Sequence, residues 1–183
     1  EDESLAWAAF DGATRLPIAA HTDSARVVTI GSLSKLLWGG LRVGWIRADR
    51  TVIARVGRLK AAHDLGNCAV SQVIALRLLE RADEIVAMRR RQLRHGAAHL
   101  MGELATHVPE WRFREPAGGL SLWVHLPWGA ADEFAQFALR HGVSVLPGNA
   151  TSAREAHPDR IRLSYSEAPP RLTTAVHRLA AAW

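Results

Sequence analysis

The chain has 183 residues, 48% hydrophobic and 22% charged, with a formal net charge of +5 and an isoelectric point near 10.5. That is enough apolar content for a buried core. No apolar run reaches the roughly 20 residues needed to cross a bilayer, and the acidic start Glu1-Asp2-Glu3 is unlike a cationic leader, so a cytoplasmic globule with no membrane partner is expected.

In chain order, residues 26–30 form a β-branched run and 43–46 a second, each read as a strand, with a Ser/Gly-rich connection between them. Asp49 is a candidate N-cap for a helix over 49–62, and Gly66-Asn67 breaks the pattern before a second helix over 69–79. Cys68 stands between them; as the single cysteine it excludes an internal disulfide or a cysteine metal cage, and buried packing is its expected role. A long helix over 83–107 follows, with Leu93, Ala97, Leu100 and Leu104 as its apolar stripe. Its polar side carries the densest basic cluster, Arg89-Arg90-Arg91 with Arg94 one turn on. No nucleic-acid reading motif accompanies that cluster, so a solvated helix face is expected.

His95 and His99 on the same helix have metal-ligand spacing but no evident third ligand, and no metal is expected. Beyond Pro109 the texture alternates: strands over 111–114 and 120–126 flank the turn residues Pro116, Gly118 and Gly119. A helix over 131–141, a strand over 143–146, a Pro147-Gly148 turn, a strand over 161–165 and a helix over 170–182 complete a mixed α/β chain in two parts joined by the long helix. The seven tryptophans are expected as core and interface anchors, with Trp38 set apart by its place beside the Ser/Gly loop.

Only two lysines occur, Lys35 and Lys60. A lysine attacks an aldehyde only where burial or neighbouring charge lowers its pKa, and a buried ε-amino group is the expectation for Lys35. Ser32 and Ser34 offer hydroxyls beside it, Gly39 and Gly40 allow close backbone approach, and Arg42 offers a fork of donors for a phosphate. The same residues also suit a solvated surface loop. Ser32-Leu33-Ser34-Lys35 fits the Ser-x-x-Lys motif of serine β-lactamases as well, but that chemistry needs a downstream Lys-Thr-Gly and no lysine follows Lys60.

The stretch Gly31-Ser32-Leu33-Ser34-Lys35, continued by Trp38-Gly39-Gly40-Leu41-Arg42-Val43-Gly44-Trp45, resembles the lysine segment of class I/II aminotransferases of fold type I. It is most similar to the MocR branch of GntR-type regulators, which fuse a winged helix-turn-helix to an aminotransferase-like domain. The resemblance extends through Pro116-Ala117-Gly118-Gly119-Leu120 to Arg160-Ile161-Arg162-Leu163-Ser164.

This resemblance implies an α/β fold of the pyridoxal-phosphate transferase type. Residues 1–80 would be the C-terminal part of the large cofactor-binding domain, and 81–183 a long linking helix and small C-terminal domain. It implies pyridoxal 5'-phosphate as cofactor, held as a Schiff base by Lys35. Arg42, Ser32 and Ser34 would take the phosphate, and Asp2, 33 residues ahead of the lysine, the pyridine nitrogen. Arg162 would receive a substrate α-carboxylate; on the residues alone a structural salt bridge serves equally, and Asp2 reads equally as an acidic strand end.

The implied partners are a small amino compound, bound as an external aldimine, and a second subunit in a homodimer. DNA would be reached only through a winged helix that this chain lacks. A free-standing aminotransferase and a fragment without cofactor are the alternatives. Two departures stand out: Ser4 and Leu5 occupy positions where relatives carry a tyrosine, and Asn149-Ala150-Thr151-Ser152 follows Pro147-Gly148 where an aromatic is common. The opening at Glu1 reads as the interior of a longer chain.

Overall fold

The structure is a computed structural model that describes every residue except 12–15, 23–26, 65 and 155. It divides into two compact units, Glu1–Arg90 and Arg91–Trp183. Among the described residues no helix is long and apolar enough to cross a membrane.

In the first unit, strands β1 (Thr29–Ser32) and β2 (Gly44–Arg47) form an antiparallel pair, Thr29 opposite Arg47 and Ser32 opposite Gly44. The first strand therefore sits later than its β-branched run suggests. Gly31 and Ser32 are drawn in by pairing, while Arg26 lies outside the described residues. Helix α1 (Arg50–Asp64) starts after Asp49, whose carboxylate accepts the Thr51 N–H at 2.7 Å, the side-chain cap expected of that residue.

Helix α2 (Ala69–Leu79) matches its expected span. Cys68, expected to be buried, is exposed at its start. There, hydrogen bonds from Ser71 and the Val70 N–H hold its thiol below the usual range. Among the described residues few apolar side chains of this unit are buried, namely Ala8, Leu33, Leu36, Leu41 and Ala75; Leu33, Leu41 and Ala75 form one cluster, with Leu37 and Val43 packed against it.

Helix α3 (Ala82–His107) carries the predicted stripe, with Leu93, Ala97, Leu100 and Leu104 all buried. The basic cluster is only partly a solvated face. Arg91 and Arg94 are exposed, but Arg90 is half-buried and its Nε donates to the Trp7 carbonyl at 2.7 Å. Within the second unit, Gly96 lets the Tyr165 carbonyl approach so closely that a Cβ would collide with it.

The second unit adds β3 (Arg112–Phe113), β4 (Ser121–His125), α4 (Ala131–Arg140), β5 (Leu146–Pro147), β6 (Arg160–Ser164) and α5 (Pro169–Ala182). Its antiparallel sheet has the order β3-β4-β6-β5. Leu122 and Val124 alternate into the core from β4, as Ile161 and Leu163 do from β6. The stripes of α3, α4 and α5 complete it, and α5 opens on two prolines at its first positions, where no N–H partner is required.

Of the strand expected over 143–146, only Leu146 pairs. The Val143 N–H donates to Ala138 at 2.9 Å and the Gly142 N–H to Leu139 at 2.9 Å, with Gly142 at φ 79°. This left-handed C-cap satisfies the last carbonyls of α4 with a donor the strand would have used. Trp111 and Trp183 fulfil the expected anchoring role: each packs edge-on against Phe134, at ring-centroid separations of 5.4 Å.

Candidate cofactor site

The loop that carries Lys35 is closed by hydrogen bonds rather than open to drift. The Leu33 N–H donates to the Val43 carbonyl at 3.0 Å, directly beyond the last β1–β2 pair. Inside that closure the Leu37 N–H donates to Leu33 at 2.8 Å, making one helical turn that carries Ser34, Lys35 and Leu36. A second short turn, the 3-10 helix Gly39–Leu41, is closed by Leu41 N–H to the Trp38 carbonyl at 3.1 Å.

Leu33, Leu36 and Leu41 are buried and pin the loop, which leaves Lys35 and Arg42 exposed. The expectation of a buried amine is corrected: the turn faces its leucines inward and Lys35 outward. Among the described residues no carboxylate pairs with Lys35.

Arg42 has φ 54° and ψ 36°, the only described non-glycine residue at positive φ. A left-handed conformation costs a side-chain-bearing residue about 1–2 kcal/mol, and strain of this kind concentrates at ligand clamps. The Ser32 hydroxyl accepts the Ser34 N–H at 3.2 Å, and both serines are half-buried on the rim of the same loop. Trp38 is exposed with its ring over Gly40, where a Cβ would collide with the indole.

Asp2 bridges in parallel to Ile30, the middle of the strand that feeds the lysine loop. The Ile30 N–H donates to Glu1 at 2.9 Å and the Glu3 N–H donates to Ile30 at 2.8 Å. Hydrogen bonds from the Ser4 side chain and main chain, the latter at 2.8 Å, hold the Asp2 carboxyl below the usual range. Ser4, one of the two departures, thus helps to keep Asp2 anionic. Asp2, Ser32, Ser34, Lys35 and Arg42 all belong to the first unit.

Arg162 lies in the second unit on β6, opposite Trp123 of β4 and Leu146 of β5. It alternates with Ile161 and Leu163 and so faces away from the core. The salt-bridge reading is not met, since no carboxylate among the described residues pairs with it. It lines a cavity of about 480 Å³ with Ser144, Ser164, Glu167 and Arg171. Trp123 as its cross-strand neighbour was not legible in the sequence, because register is set by pairing between distant segments.

The sequence profile of the family described as aminotransferase class I and II matches residues 3–179. The chain belongs to the class I and II aminotransferase family. Its fold is the type I architecture of the pyridoxal-phosphate transferases, over part of their length.

Among solved structures, the α-aminoadipate aminotransferase LysN of Thermus thermophilus, complexed with N-(5'-phosphopyridoxyl)-L-leucine, superposes with a TM-score of 0.89 at 29% identity. All of this chain and 49% of that one are covered. An uncharacterised aminotransferase of Saccharolobus solfataricus is 27% identical over 91% of this chain and 42% of its own. The uncharacterised HTH-type transcriptional regulator YisV of Bacillus subtilis is 30% identical over 92% of this chain and 35% of its own. The family domain here thus spans less than half the length of each of these relatives, and both enzymes and regulators stand among them.

Proposed function

We propose that this family domain binds pyridoxal 5'-phosphate at Lys35 and serves as the effector-sensing part of a MocR-type transcriptional regulator in the cytoplasm. The reading rests on one observation: a single hydrogen-bonded loop carries Lys35 and Arg42 at either end, with Ser32 and Ser34 at its base and an anionic Asp2 beside its feeding strand. An amine, two hydroxyls, a guanidinium and a carboxylate are the donor set this cofactor requires.

In this reading Arg42 and the serine hydroxyls would hold the phosphate, and Asp2 would serve the pyridine nitrogen. Lys35 would supply the amine that holds the cofactor's aldehyde group and, when free, the base that moves the proton at the substrate Cα. The bound cofactor supplies an electron sink for charge developing at that carbon. Arg162 receives the α-carboxylate of a small amino compound as a bidentate pair. The remainder of the domain and a second subunit of a homodimer cover Lys35, which this half leaves exposed.

The likeness to YisV, an HTH-type transcriptional regulator, supports a regulatory role, in which DNA would be contacted through a winged helix outside this domain. The Saccharolobus aminotransferase supports the second reading, a free-standing enzyme that completes amino transfer. Turnover separates them: release of a 2-oxo acid by the parent-length protein favours the enzyme, while effector-dependent DNA binding without turnover favours the sensor.

The cofactor assignment is tested by mixing the chain with pyridoxal phosphate, recording the visible spectrum, then reducing with borohydride and mapping the adduct. A band and an adduct on Lys35 are expected, both lost in Lys35→Ala. Arg42→Ala is expected to weaken retention by about tenfold or more, the worth of a charge-assisted hydrogen bond. A band that persists in Lys35→Ala, or none in the unsubstituted chain, overturns the assignment.

A further inference from the structure

The last turn of α3 places Glu103 and His107 on one face of the helix, four residues apart. Helix α5 brings His177 against them, 70 residues beyond His107. The two Nε2 atoms stand 3.0 Å apart, with ring centroids at 4.3 Å and planes inclined by 68°. Glu103 Oε2 is 3.9 Å from each of them. That oxygen is buried and has no hydrogen-bond donor among the described residues.

Three potential ligand atoms therefore converge within 4.8 Å of one another, and the one that is buried, Glu103 Oε2, lacks the donor that a folded interior ordinarily supplies to such an atom. One N–H can bridge the two imidazoles, but it leaves the carboxylate oxygen unserved. His99 sits on the opposite side of Glu103, 3.9 Å from Oε1, and its Nε2 is engaged with the Thr173 hydroxyl at 2.8 Å.

We propose that Glu103, His107 and His177 bind a divalent first-row cation, Zn²⁺ foremost. Two imidazoles and one carboxylate are a zinc ligand set, and a tetrahedral ion with bonds near 2.0–2.1 Å spaces its ligands by about 3.3 Å. The observed separations of 3.0 and 3.9 Å bracket that spacing, so side-chain adjustments of a few tenths of an ångström suffice. Glu103 is the least exposed of the three side chains and forms the floor, while His177, the most exposed, leaves the fourth position open to water. The ion ties the end of α3 to α5 and so clamps the second unit. This site is independent of Lys35 and of the cofactor reading.

The test uses the metal-stripped chain titrated with ZnCl₂ by calorimetry, with Co²⁺ as a spectroscopic stand-in. A single saturable Zn²⁺ site is expected, together with the intense visible bands of four-coordinate Co²⁺ and a raised melting temperature on Zn²⁺ addition. His177→Gln and His107→Gln are each expected to weaken Zn²⁺ by at least about a hundredfold, the loss that even outer-shell changes can reach. His95→Gln, exposed on α3 outside the trio, is expected to bind as the unsubstituted chain does. Absence of a saturable site overturns the proposal, as does wild-type affinity in either trio variant or equal weakening in His95→Gln. In the first case a shared proton, rather than a metal, holds the two imidazoles together.

Discussion

Arg42 concentrates the tension between stability and function at one residue. Its left-handed backbone is disfavoured for any side chain bearing a Cβ, and glycine would relieve it. Arg42→Gly is therefore expected to leave unfolding stability unchanged or raised by about 0–1 kcal/mol, since glycine also loosens the unfolded chain. Under the cofactor proposal the same change removes the phosphate clamp, so urea unfolding and pyridoxal-phosphate titration are expected to move in opposite directions. A loss of stability above about 1 kcal/mol would show that the guanidinium has a structural partner.

Tyr165 offers a second test at this scale. It is buried, its hydroxyl donates to the Gly118 carbonyl at 2.8 Å, and burial pushes its pKa up to about 12 from an ordinary 10. The unfolded chain therefore ionises first, and the folded state binds the proton more tightly between those values. Stability that Tyr165 contributes is fully present below pH 10 and is lost as pH rises toward 12. Tyr165→Phe is expected to flatten that alkaline decline in urea unfolding, and to cost about 1 kcal/mol at neutral pH for the lost hydrogen bond.

At the scale of elements, α2 and α3 make opposite demands on their apolar residues. Leu104 of α3 is fully buried, whereas Val73 of α2 is 59% exposed and Leu76 is 61% exposed. Leu104→Ala is expected to cost about 2–5 kcal/mol through lost transfer energy and the cavity left behind. Val73→Ala is expected to stay within about 0.5 kcal/mol in this chain. Urea midpoints of the two variants check both. Arg90 shows that an element is also fixed by hydrogen bonds to its neighbours, since its guanidinium holds the Trp7 carbonyl. A basic cluster read as one solvated face is thus divided: Arg89 and Arg90 are half-buried, while Arg91 and Arg94 are exposed.

For the whole molecule, the contrast between the two units predicts an uneven distribution of stability. Among the described residues the first unit buries only the apolar side chains of Ala8, Leu33, Leu36, Leu41 and Ala75, while the second packs stripes from three helices against alternate residues of β4 and β6. Local opening free energy follows buried apolar contact. Hydrogen exchange is therefore expected to be slower at the amides of β4, β6 and the second half of α3 than at those of α1 and α2. Equal protection of α1 and β4 would show that the smaller core is not what limits the first unit.

Much of the architecture was written locally. The period of about 3.6 residues in Leu93, Ala97, Leu100 and Leu104, the alternation in β4 and β6, and the Asp49 cap each depend on residues a few positions apart, so the elements and the lysine loop were legible in the sequence. What tertiary structure decided depends on partners far along the chain. The Val143 N–H caps α4 instead of pairing in a strand. Lys35 faces outward because Leu33, Leu36 and Leu41 take the buried positions of its loop. Glu103 and His107 meet His177 only because two helices separated by a sheet in sequence pack together. Local pattern carries propensity and periodicity, but competition for donors, for burial and for distant neighbours is settled only when the chain closes on itself.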